Sequence, residues 1–106
     1  MEQLEIIGTN DPFGLRLVGE IDMATAPSLQ EALLVALAAG RPVTVDMKDV
    51  TFIDSSGLKV IVSSVAETAA SHPLTLKDPS AVVRRALEVF GMEQIPGLRI
   101  DAAQHD

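Results

Sequence analysis

The chain has no cysteine, tryptophan or tyrosine, only three phenylalanines in 106 residues, and few positive charges. Without cysteine, disulfides, thiolate chemistry and Cys-based metal sites are excluded. Without aromatic platforms, nucleobases find little to stack on, and any core must be aliphatic. Eight Lys and Arg stand against fifteen Asp and Glu, a net charge of −7. That balance argues against a nucleic-acid partner, because phosphate-backbone binding needs a cationic surface. An electropositive protein surface is the more natural match. No apolar stretch approaches the ~20 residues that span a bilayer, so membrane insertion is not expected. The opening Met1-Glu-Gln-Leu-Glu5 lacks the positive region and apolar core of a signal peptide. A reducing cytoplasm is the expected location.

Apolar residues make up 47% of the chain, enough for a packed globule. The length suits one domain over 1–106, able to bury about 60–70% of its unfolded surface. Short strands and helices alternate, with no repeat and no linker. Leu4 to Ile7 and Leu15 to Val18 read as strands around the turn Asn10-Asp11-Pro12-Phe13-Gly14, an antiparallel hairpin. Gly19-Glu20-Ile21-Asp22 is expected to leave the sheet edge. Thr25 or Ser28 is placed to cap a helix with Pro27 in its first turn. Ala26, Leu29, Leu33 and Leu37 share a face of that helix, and Gly40 ends it.

Val43 to Val45 predicts a third strand, continuing to Phe52-Ile53. Leu58, Ile61, Val62, Val65 and Ala69 then follow a helical rhythm that Pro73 stops. Leu74 to Leu76 is a fourth strand. Asp78-Pro79-Ser80 opens a helix with Val82, Val83, Ala86, Leu87 and Phe90 on one face, closed by Gly91. Leu98 to Ile100 is a last short strand, and 102–106 a frayed tail. The class is α/β: a mixed four- to five-stranded sheet, with right-handed crossovers and helices mainly on one face.

Between the third strand and its helix lies Asp54-Ser55-Ser56-Gly57. A hydroxyl pair there stands where free backbone N–H groups and the positive end of the helix dipole face outward, a setting that favours phosphate. The plainer account is that Ser55 or Ser56 caps the helix, worth about 1 kcal/mol. Asp22, Asp54 and Glu20 read as solvated loop charges, and His72 and His105 have no spacing suited to a Ser–His–Asp array. Neither a nucleophile elbow nor a phosphate loop is present. No metal site and no cofactor are expected.

Leu15-Arg-Leu-Val-Gly-Glu-Ile-Asp22, the helix from Ala26, Val43-Thr-Val-Asp46, Phe52-Ile-Asp-Ser-Ser-Gly-Leu58, and Val82, Arg84, Leu87 and Gly91 together give the chain a family resemblance. It resembles STAS domains, and more closely the bacterial anti-sigma-factor antagonists. The resemblance implies a binding module gated by phosphorylation. The unphosphorylated form binds an anti-sigma factor that is also a GHKL-type serine kinase, freeing a sigma factor. The kinase modifies the first serine after the aspartate, here Ser55, and a PP2C-type phosphatase reverses it. Asp22 and Asp54 match acidic positions near the acceptor, and Ser56 and Gly57 match the turn that presents it. Lys59 departs from the small residue many relatives carry there, and joins the expected partner-binding set. A STAS subunit of a lipid-transport ABC complex and a small serine hydrolase are the rival functions.

Overall fold

A computed structural model describes residues 3–67 and 72–102. Strands β1 (Leu4–Asn10) and β2 (Phe13–Ile21) form the expected antiparallel hairpin, turning at Asp11-Pro12. Helix α1 (Ala26–Leu37) leads to β3 (Val43–Ile53), and α2 (Ser55–Glu67) to β4 (Leu74–Lys77). Helix α3 (Ala81–Val89) and a 3-10 turn at Met92–Gln94 lead to β5 (Leu98–Asp101). The sheet order is β1-β2-β3-β4-β5, with every pair after the hairpin parallel. Three crossovers that step the same way along a sheet put their helices on one face. The strands agree: Leu15, Leu17 and Ile21 of β2, and Leu74 and Leu76 of β4, are buried and alternate with more open residues. Helix α1 packs on β2 and α2, while α2 and α3 reach β3.

Strand β2 does not leave the sheet at Gly19. It continues through Glu20 and Ile21 beside β3 and is an interior strand, not an edge. Gly19 permits this with φ +118, since a Cβ there would collide with the carbonyl oxygen of Gln3, which accepts a bond from Glu20 N–H at 2.8 Å. Strand β3 is also one continuous element. Its buried residues are Val43, Val45 and Met47, then Val50 and Ile53, so the period slips from two to three twice. The β2–β3 register shifts between Arg16 and Val18 and again between Gly19 and Glu20, the mark of bulges that absorb one extra residue of β3 each time. Across the first bulge, on the open face, Arg16 Nη2 donates to Asp49 Oδ2 at 2.8 Å, and that bond and charge raise the Arg16 pKa.

The helix faces differ in part from their expected stripes. Helix α2 buries Leu58, Val60, Ile61, Ser64 and Val65, whereas Val62 is exposed; Ala69 and the helix end before Pro73 lie outside the described residues. Helix α3 buries Val83 and Leu87, but Val82 and Phe90 face solvent. A nine-residue helix lying on one strand buries a narrow line, and the flanking apolar positions remain open. Helix α1 ends at Leu37, short of Gly40, and Leu37 itself is only partly buried. The expected tail falls mostly on 103–106, outside the described residues.

Met47 is fully buried between charged neighbours in sequence. Met47→Ala is therefore expected to cost about 2–4 kcal/mol, read as a lower urea midpoint with unchanged slope. Lys48→Ala, one position along and exposed, should stay within about 0.5 kcal/mol.

Candidate functional site

Ile21 and Ile53 are register partners at the carboxyl ends of two parallel strands, and an aspartate follows each. In parallel α/β sheets this end gathers the loops and helix starts that meet ligands. Here the two loops are tied together, because Asp54 N–H donates to the Ile21 carbonyl at 3.1 Å.

Both aspartates fold back onto the chain that follows them. Asp22 Oδ1 accepts from Ala24 N–H at 2.9 Å and Thr25 N–H at 3.1 Å. The Thr25 side chain makes no cap bond to α1, contrary to expectation. Its hydroxyl donates to the Glu20 carbonyl at 3.0 Å and accepts from Asp22 N–H at 2.9 Å, which closes the loop upon itself. Asp54 Oδ1 accepts from Ser56 N–H at 2.9 Å and Gly57 N–H at 3.4 Å, the positions served by an N-cap. The cap of α2 is thus Asp54, and neither serine fills that role. A carboxylate at a helix N-terminus also meets the favourable end of the dipole.

With the cap supplied by Asp54, Ser55 stands exposed in the first turn and Ser56 half-buried beside it. Gly57 lies underneath, buried. A Cβ built on it would stand 2.5 Å from Ile21 Cγ2 and 2.9 Å from Ile53 Cγ1. Only a residue without a side chain lets the first turn of α2 settle on the two strand ends. Gly57 therefore presents the serines and offers no side chain of its own to a partner.

Ser55, Ser56 and Lys59 line one shallow cavity of about 230 Å³ between α1 and α2, together with Met23, Pro27 and Gln30. Asp22 and Asp54 stand in the adjoining loops but do not line it. Met23 is 77% exposed, and nothing in the sequence singled it out: a methionine in a loop carries no periodicity. His72 lines a different cavity, with Arg41 and with Glu67 at the far end of α2. His105 falls outside the described residues. Among the described residues no helix is long and apolar enough to cross a membrane.

A family model described as "Mlab, STAS domain" matches residues 8–100. Among curated proteins, an anti-sigma-B factor antagonist of Bacillus subtilis is 32% identical over 84 residues, covering 76% of this chain and 75% of that protein. The anti-sigma-F factor antagonist RsfB of Mycobacterium tuberculosis is 28% identical over 93 residues, 87% of this chain and 75% of the relative. In three dimensions, the crystal structure of an anti-sigma factor antagonist from Mycobacterium paratuberculosis aligns with a TM-score of 0.75 at 22% identity, over 91% of this chain and 85% of that one. SpoIIAA, an anti-sigma factor antagonist solved in its unphosphorylated form, aligns at 0.61 with 21% identity, covering 83% and 77%. These structural matches show the same fold.

Gly57→Ala is expected to destabilise by about 1–2 kcal/mol. The clash with two isoleucines outweighs the gain of at most about 1 kcal/mol that alanine brings to a helix interior. The loss should be less than additive with Ile21→Ala, which removes the atom it strikes; thermal melts of the two single variants and the double variant check this. Asp54→Ala should cost about 1 kcal/mol in the same assay, the usual worth of an N-cap.

Proposed function

Because the chain belongs to the STAS domain family, among the anti-sigma factor antagonists, we propose that it is a partner-switching regulator gated at Ser55. Unphosphorylated, it binds an anti-sigma factor that is also a GHKL-type serine kinase, and a sigma factor is released. The kinase transfers the terminal phosphoryl group of ATP to Ser55 Oγ, with ADP and the hydroxyl proton as the other products, and the complex separates. A PP2C-type phosphatase hydrolyses the phosphoserine and resets the module. Action in the cytoplasm follows from that cycle.

One observation carries the reading: Ser55 is the exposed residue of a turn whose capping is done by its neighbour. An enzyme can reach the hydroxyl, and modifying it removes no bond on which α2 depends. The added charge, roughly −1.5 to −2 at neutral pH, then acts on whatever docks over the cavity and not on the core. The partner face comprises Asp22, Asp54, Ser56 and Lys59, joined by the exposed Met23, which lines the cavity with Ser56 and Lys59, while Gly57 holds them in position. The chain acts here as a binding module, not as a catalyst. The matched family model is described by the name Mlab, which keeps a second reading in view: a STAS subunit of a lipid-transport ABC complex. The curated relatives named as antagonists favour the first.

Incubation with a GHKL-type anti-sigma-factor kinase and ATP should add one phosphate, mapped to Ser55 by mass spectrometry and absent from Ser55→Ala. Ser55→Glu should weaken binding to that kinase roughly tenfold or more while its melting temperature stays within a few degrees of wild type. A steep fall in melting temperature would mark the serine as structural. Stable association with an ABC ATPase, with no uptake of phosphate, would establish the transport reading in its place.

A further inference from the structure

We propose that Lys59 is the built-in counter-charge of phosphorylated Ser55, so that the switch takes up a cation as it adds an anion. The inference deepens the reading of Ser55 as phosphoacceptor and rests on it. Ser55 and Lys59 are four residues apart on α2, which places their Cβ atoms on one face about 5–6 Å apart. Side chains on a helix slope toward its N-terminus, so the Lys59 stem leans back toward Ser55. Both residues are exposed, both line the cavity between α1 and α2, and Lys59 is the one charged residue that does so. Among the described residues Lys59 forms no ion pair.

Four backbone N–H groups of the two loops are already engaged and do not compete for the phosphate. Asp54 holds the N–H groups of Ser56 and Gly57, and Asp22 holds those of Ala24 and Thr25. The charged residues that flank the ends of β2 and β3, Glu20, Asp22 and Asp54, are all acidic and repel a dianion. From the α1 side the cavity is faced by Pro27 and Gln30, neither charged. The Lys59 ammonium is the cationic donor within the cavity. In the unmodified protein it stands free to meet an acidic group on a partner. After phosphorylation it is paired, and the cavity presents net negative charge.

The test places phosphoserine at position 55 by genetic encoding, so that no kinase is needed. The second ionisation of the phosphate is then followed by 31P NMR at low salt. A nearby cation stabilises the dianion and lowers its pKa, so removing the cation raises it. Lys59→Gln is expected to titrate about 0.2–0.4 pH units above wild type. Lys59→Arg should match wild type, as should Lys48→Gln, whose cation belongs to β3. The difference should close at about 1 M salt. Coincident curves for wild type and Lys59→Gln, or an equal shift in Lys48→Gln, would overturn the inference and leave Ser55 as acceptor. Failure of a kinase to modify Ser55, with the shift present, would instead sink the functional reading alone.

Discussion

The contact of Gly57 with Ile21 and Ile53 governs the geometry of this end of the protein. Two parallel strands stop in register, and α2 starts on top of both, which is possible only because the residue at the contact has no Cβ. The Asp54 N–H to Ile21 carbonyl bond then ties the two loops together, and their carboxylates turn onto neighbouring backbone. With that foundation fixed, the residue two positions before the glycine is pushed to the surface. The exposure of Ser55 is thus a packing consequence and not a property of serine.

A division of labour follows between adjacent residues. Had the Ser55 hydroxyl been the cap, replacing or modifying it would cost the helix about 1 kcal/mol and unsettle α2 with each cycle. Asp54 does the capping, so the fold and the proposed switch are separated by one position in the chain. The two residues cannot exchange roles without losing either the cap or the accessible hydroxyl. The order aspartate, serine, serine, glycine therefore has a mechanical meaning: cap, exposed site, half-buried support, contact point.

Much of this was legible from residue types, and the remainder was hidden for identifiable reasons. The alternation of elements, the hairpin and the parallel crossovers follow from turn residues and apolar spacing, and the structure has them. The reach of β3 to Ile53 also follows, whereas the continuation of β2 past Gly19 does not, because two bulges break the period of two and set Asp46, Lys48 and Asp49 around the buried Met47. A strand that changes phase gives no single periodic signal by which its partner's pairing can be followed. The apolar spacing of α2 and α3 is wider than the faces they bury. Val62 and Val82 are apolar at helical spacing, yet which side of a stripe meets the sheet is decided by tertiary packing. Residue type does not single out Asp54 as the cap, since Ser and Asp are equally suited to that role and only geometry chooses between them. Met23 left no trace at all.

The same charge has unequal consequences on the two sides of a docking event. In the free domain a phosphate on Ser55 and the exposed Lys59 would both face water, where an exposed pair contributes under about 1 kcal/mol in either direction. Docking removes that water, and a buried charge left without its partner costs about 2–5 kcal/mol. Lys59 is the single cation lining the cavity in a protein of net charge −7, so an acidic group on the proposed partner would find its complement there. In the proposed switch, phosphorylation of Ser55 would engage that complement internally and add uncompensated negative charge in one step. The fold would barely register that change while the interface would lose both an attraction and its neutrality, which is the asymmetry the proposed partner switch requires.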